Sequence, residues 1–203
     1  MILSDKFICA GEKYASFRRR VPAPLFVSYV TVEKPLVKAE ITVCGLGFYE
    51  LFIDGKRITK SYLAPYITNS DDVVFYDNYD ITDLLIKEDH EFRFLLGNGM
   101  QNAFGGFIWD FHKAYFRSAP KLAFAIELAY TDGTSKIIEA DETVLTRPSK
   151  IVRDDLRLGE IYDANFDEGK WKPAIKTSSP KGEKKLSEIK PIVIRNRISP
   201  SGF

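Results

Sequence analysis

The stretch Phe104-Gly-Gly-Phe-Ile-Trp-Asp-Phe-His-Lys-Ala-Tyr-Phe116 is the most unusual part of the chain, because seven of its thirteen residues are aromatic or imidazole side chains. Sugar rings present C–H groups that stack on flat aromatic faces, while nearby acids, amides and imidazoles take the hydroxyls. Trp109, Asp110, His112 and Tyr115 therefore make a candidate sugar-binding set. The same run also suits an insertion that packs onto its own domain, onto a neighbour or onto a second copy, since so apolar a loop is usually covered.

Asn69, Asp71, Asp72, Asp77 and Asn78 supply clustered oxygen donors of the hard kind that calcium prefers, although their spacing is not that of an EF-hand loop. They suit a calcium site or a solvated turn between strands. Gly97-Asn-Gly99 ends an apolar run but lacks the Lys-Ser/Thr and the following helix of a phosphate loop, so it reads as a turn. The two histidines, His90 and His112, are far apart in sequence, and no Gly-x-Ser-x-Gly elbow is present. No catalytic residue is assigned.

The elements that must carry these residues have a period of two. Leu122, Phe124, Ile126, Leu128 and Tyr130 alternate with smaller or charged residues, which predicts a strand with one apolar face. Thr131-Asp-Gly-Thr134 then predicts a tight turn, with Ser135 to Ala140 as the returning strand. Val37 to Val43, Phe48 to Ile53 and Phe92 to Leu96 show the same extended pattern, and Gly45-Leu-Gly47 predicts a bend between the first two. Asp54-Gly55 predicts another turn, leading into a short strand from Lys56 to Lys60. The best helical candidate begins at Asp80 and runs through Leu84 and Leu85 for one or two turns, with Asp80 or Thr82 as cap. Many short strands between Gly, Pro and Asp turns predict an all-β antiparallel sandwich or jelly roll.

Composition narrows the function. The 203 residues are 45% hydrophobic and 28% charged, which fits a folded chain with one sizeable core or two small ones. A formal net charge of +1 offers no field for nucleic acid, and no run is long and apolar enough to suggest a membrane span. Two cysteines, Cys9 and Cys44, and two histidines are too few for a Cys/His zinc site or a disulfide framework. The first ten residues carry an acid and lack a signal-peptide pattern, so cytoplasmic residence is expected. Residues 166–203 carry nine Lys/Arg against four Asp/Glu, which leaves the first 165 residues at −4. This shift predicts a sandwich over 1–165, then a basic linker and a short extended segment, Pro191-Ile-Val-Ile, leading towards a further domain.

Four patterns, in order, resemble the amino-terminal domain of bacterial α-L-rhamnosidases. They are Gly45-Leu-Gly-Phe-Tyr-Glu-Leu-Phe-Ile-Asp-Gly-Lys-Arg57, Tyr79-Asp-Ile-Thr-Asp-Leu-Leu85, Leu96-Gly-Asn-Gly99 and Gly159-Glu-Ile-Tyr-Asp-Ala164. With the intervening hairpin they cover about residues 35 to 165. The chain departs from the family pattern at Met100 and Ile67, where aromatics are common, and at Asn165, where Arg is usual. The resemblance implies a galactose-binding-like β-sandwich with one or two helical turns, placed ahead of a catalytic region that carries the acidic catalytic residues. It implies a non-catalytic domain that positions rhamnose-containing glycans or braces that region, with calcium as a candidate ion and self-association as a candidate partner mode. A purely structural or oligomerising module is the alternative. Glu160, Tyr162 and Asp163 would either orient a loop towards the catalytic region or serve structural hydrogen bonds.

Overall fold

The structure is a computed structural model that describes residues 2–15, 21–103 and 113–199. Two antiparallel-dominated sheets face each other across one core. The seven-stranded sheet contains β1 (Phe7–Cys9), β3 (Leu36–Leu46), β6 (Val73–Asp80), β8 (Lys121–Tyr130), β9 (Ser135–Glu139), β14 (Ile175–Thr177) and β15 (Glu183–Leu186), in the order β14-β1-β8-β3-β6-β15 with β9 also on β8. The six-stranded sheet contains β2 (Pro24–Thr31), β4 (Phe48–Ile53), β5 (Lys56–Arg57), β7 (Asp89–Gly97), β10 (Leu145–Pro148) and β13 (Lys172–Pro173), in the order β13-β10-β2-β7-β4-β5. A two-stranded ribbon of β11 (Ile151–Arg153) and β12 (Ile161–Tyr162) flanks it.

The alternation along the sequence puts the right residues inside. Leu122, Phe124, Ile126, Leu128 and Tyr130 of β8 all enter the core, where they meet Phe26, Leu51, Phe92, Phe94 and Leu96 of the other sheet. Phe94 and Phe124 stack across the gap with centroids 4.7 Å apart and planes 13° from parallel. Strand β8 is also buried behind, because Ala123 joins Phe7, Cys44, Leu46, Val74 and Tyr76 in a second cluster. Cys9 and Cys44 are buried free thiols.

The turns agree with their chemistry. The Asp132-Gly133 pair closes the β8–β9 hairpin, with Asp132 accepting from Thr134 N at 3.0 Å and Gly133 at φ +81°. Gly45-Leu-Gly47 is the corner where the chain leaves β3 in one sheet for β4 in the other. The helical candidate shrinks to a single 3₁₀ turn, Thr82–Leu84. Its threonine explains why: Asp80 Oδ1 accepts from Thr82 N and Oγ1 at 3.0 and 2.7 Å, while Thr82 Oγ1 accepts from Ala39 N at 2.9 Å. The cap is thus tied sideways to β3, and Leu85 and Ile81 are already in the core.

The boundary at residue 165 needs correction. β13 pairs with β10, β14 with β1, and β15 runs parallel to β6 from Glu183↔Val73 to Leu186↔Tyr76. Residues 172–186 therefore complete both sheets rather than link to something beyond. Edge strands bond through their backbones and keep charged side chains in water, so a polar composition conceals their pairing. Pro191-Ile-Val-Ile has no regular strand and is held at one point, where Tyr62 N donates to Ile192 O at 2.9 Å and Ile192 N donates to Ser61 Oγ at 3.0 Å.

Candidate functional site

On β4, Tyr49, Leu51 and Ile53 face the core, which turns Phe48 and Glu50 to the outside; on β7 the same alternation turns out Leu95 and Gly97. This outer face of the six-stranded sheet floors a cleft of about 370 Å³, walled by Tyr62 and Leu63 on one side and by Ile151, Asp154 and Glu160 on the other. Arg57 sets the first wall. Its Nε donates to Glu50 Oε1 at 3.0 Å, its Nη2 donates to Ser61 O at 3.1 Å, and its guanidinium lies 4.7 Å from the centroid of the Tyr62 ring. Leu63 sits at φ +56°, an uncommon backbone state for a leucine, beside the cleft mouth with 53% of its surface exposed.

Asn98 secures the opposite wall: its backbone N–H donates to the Asp154 carboxylate, and its side-chain amide donates to Asp154 O at 2.9 Å. Burial pushes the Asp154 carboxyl above its ordinary value, against the Asn98 N–H and with help from Asp155. Burial, then the charges of Asp154 and Glu50, push Glu160 the same way. The cleft thus offers carboxyl oxygens as hydroxyl acceptors beside the rings of Phe48 and Tyr62, which is the pairing of groups that sugars require.

Beneath the cleft Tyr49 continues into a buried network. Its hydroxyl donates to Asp77 Oδ2 at 2.5 Å, and the Tyr79 hydroxyl lies 2.9 Å from it within the same network. Burial raises the Asp77 carboxyl despite both donors, and raises Tyr79 to about 12. A carboxyl whose value is higher folded than unfolded contributes stability that is complete below the unfolded value and is lost as pH rises through the folded one. The stability of Asp77→Asn relative to the parent should therefore grow as pH rises from 4 to 7. Urea midpoints across that range check this, and a flat or falling difference would contradict it.

The sequence-derived sets fare differently. Trp109, Asp110 and His112 lie outside the described residues, and Tyr115 is fully exposed. The ends of that segment are pinned, with Gln101 Nε2 donating to Phe116 O at 2.5 Å and Ser118 Oγ at 3.0 Å, and Ser118 N donating to Gln101 O at 3.2 Å. The five oxygen donors are not gathered into one set. Asn69, Asp71 and Asp72 close a turn on themselves, since Asn69 Oδ1 accepts from Asp71 N at 3.1 Å and Asn69 Nδ2 donates to Asp72 Oδ2 at 2.7 Å. Asp77 and Asn78 lie further along β6 on opposite faces, with Asp77 committed to the tyrosines. Among the described residues no group of three or more His, Cys, Asp or Glu is placed to hold a metal ion. As a five-residue set these donors do not fit calcium, because strand alternation and local hydrogen bonds separate them.

A family profile described as "Alpha-L-rhamnosidase N-terminal domain" matches residues 34–196. An α-L-rhamnosidase of Formosa agariphila is 32% identical over 155 residues, which cover 73% of this chain and 16% of that protein. The chain belongs to the α-L-rhamnosidase N-terminal domain family. The solved α-L-rhamnosidase from Dictyoglumus thermophilum superposes with a TM-score of 0.75 at 29% identity, over 86% of this chain and 20% of that one. The Streptomyces avermitilis α-L-rhamnosidase, solved in complex with L-rhamnose, gives a TM-score of 0.68 at 25% identity over 80% and 17% of the two chains. The chain thus spans about a fifth or less of the length of these relatives.

The α-L-rhamnosidase motifs, scattered in sequence, meet at the cleft. The first supplies Phe48, Tyr49 and Glu50, the third Leu96 and Gly97, and the fourth Glu160, while Tyr79 of the second hydrogen-bonds Tyr49 from below. Asp163 is structural, with its N–H donating to Lys150 O at 2.9 Å and its carboxylate accepting from Asn165 N at 2.9 Å. Tyr162 stands 63% exposed. Two departures from the family pattern, Ile67 and Met100, line one small groove beside Gly45 and Gly47. Tyr62 and Asp154 escaped sequence reasoning. Neither belongs to a periodic pattern or a quoted motif, and only the approach of separate loops gives them a shared role.

Proposed function

We propose that this chain is the non-catalytic accessory domain of a longer α-L-rhamnosidase, and that its cleft holds rhamnose-containing glycans for a catalytic region elsewhere in the same polypeptide. The convergence of three family motifs on one concavity carrying Phe48, Tyr62, Glu50, Asp154 and Glu160 supports this reading. Rhamnose fits that chemistry: its methyl and ring C–H groups would lie on the aromatic wall, and its hydroxyls would donate to the carboxylates.

Calorimetric titration with L-rhamnose and an aryl rhamnoside, with and without calcium, tests it. Saturable binding in the millimolar range is expected, and Tyr62→Ala should weaken it by about tenfold, the loss of one well-placed ring. Binding that survives Tyr62→Ala but is lost in Trp109→Ala would move the site to the aromatic segment. No heat with either sugar would refute glycan positioning.

A second role, bracing the catalytic region, draws on a specific observation. Leu63, Ile161, Tyr162, Ile192 and Val193, all at or beside the cleft walls, are between 44% and 63% exposed. Apolar surface grouped in this way is ordinarily covered by another domain. In a full-length relative, Tyr162→Asp should then lower the thermal midpoint of the catalytic region while leaving the isolated domain unchanged.

A further inference from the structure

Away from the cleft, a second cavity of about 200 Å³ lies where the 3₁₀ turn Glu12–Ala15 meets β10 and the loop before β13. Lys13, Arg147, Lys170 and Lys172 border it, against Asp167 and Glu168. Both acids are already engaged: Asp167 Oδ1 accepts from Gly169 N at 2.9 Å, and Glu168 Oε2 accepts from Arg147 Nη2 at 2.9 Å. Arg147 is further held with its guanidinium 4.3 Å from the Trp171 ring centroid, yet its Nε–H is buried with no acceptor among the described residues. A buried donor without a partner costs free energy that an incoming acceptor restores.

The bordering lysines add positive charge. Lys6, Lys34, Lys136, Lys176, Lys184 and Lys185 each have a carboxylate within ion-pair distance. Lys170 and Lys172 have none among the described residues, and Lys13 has only the face of Tyr14, at 5.3 Å from its centroid. Three lysines without carboxylate partners among the described residues and one incompletely bonded guanidinium thus border one concavity. Such a set answers to a compact oxyanion, since cations of this kind form their strongest hydrogen bonds with ionised oxygen acceptors.

We propose that this cavity is an oxyanion site, formed by Lys13, Lys170, Lys172 and Arg147, that takes the carboxylate or sulfate group of an acidic saccharide or a free inorganic anion. It shares no residue with the cleft, so it stands or falls independently of rhamnose binding there. Occupancy would place the anion between the lysines and the Arg147 guanidinium, which must turn to present its buried Nε–H, with Gly169 providing the adjacent turn at φ +68°.

The test is an amide-resolved NMR titration of the whole chain with sodium sulfate, sodium phosphate and sodium glucuronate, at ionic strength held constant with chloride. Saturable shifts confined to the amides around Tyr14, Thr146 and residues 167–172 are expected. The double variant Lys170→Ala/Lys172→Ala should weaken binding by about tenfold or more with shifts elsewhere unchanged, as loss of two charge-assisted contacts requires. Saturation by glucuronate alone identifies an acidic saccharide as the source; saturation by sulfate or phosphate as well identifies a free oxyanion. Shifts that spread over the surface without saturating, or affinity unchanged in the double variant, would overturn the site.

Discussion

Gly47→Ala should unfold or nearly unfold the domain, with a loss of roughly 3–5 kcal/mol in urea denaturation. Gly47 sits at φ +111°, and a Cβ there would lie 2.1 Å from Gly97 O and 3.1 Å from Gly97 C. The obstruction is backbone on backbone, so no side chain can rotate away. Relief would require β4 to part from the end of β7, where Phe48 pairs with Gly97, and that junction floors the cleft. Gly55→Ala is the matching control. It shares a positive φ, +80°, but has no heavy atom within 4 Å, so it should cost only about 1 kcal/mol of backbone strain. Equal losses in the two variants would refute the close-approach explanation.

Phe124→Ala should be the most costly change in the core, at about 3–5 kcal/mol. The ring is fully buried, and it joins the two sheets through its stack on Phe94. Truncation removes apolar burial and leaves a gap that strands fixed by hydrogen bonds on both sides cannot close: β8 is bonded to β3 along one edge and to β1 and β9 along the other. Denaturant midpoints of Phe94→Ala, Phe124→Ala and the double variant should reveal a coupling of about 0.5–1.5 kcal/mol between the rings. A loss below about 1 kcal/mol for Phe124→Ala would mean that the sheets are not held together there.

Most of the sandwich is legible in the amino-acid sequence. β8 announces itself because burial of one strand face forces a residue type at every second position, and the Asp-Gly turns do so because few residue pairs accept a left-handed backbone. The strands after residue 165 do not. β13, β14 and β15 are two to four residues long and lie on sheet edges, where water accepts the lysines and glutamates that make the segment look like a linker. The helical candidate after Asp80 stays at a single 3₁₀ turn for a related reason: its local signals are sound, but Thr82 is bonded across to Ala39 on a strand that is distant in sequence.

The site follows the same division. Glu160 stands out because it lies within a family motif, and Asp77 because it lies in an acid-rich stretch, but neither position shows its partners. Only the fold turns Asp77 inward to Tyr49 while Asp72 stays in its own turn, and only the fold brings Tyr62 and Asp154 to opposite walls of one cleft. By itself the sequence determined the class of fold and the family, because face alternation and turn chemistry are local constraints written residue by residue. The tertiary structure decided which carboxyls share a cavity and which lysines border another, because those facts depend on the distance between segments that burial of the two sheets brings together.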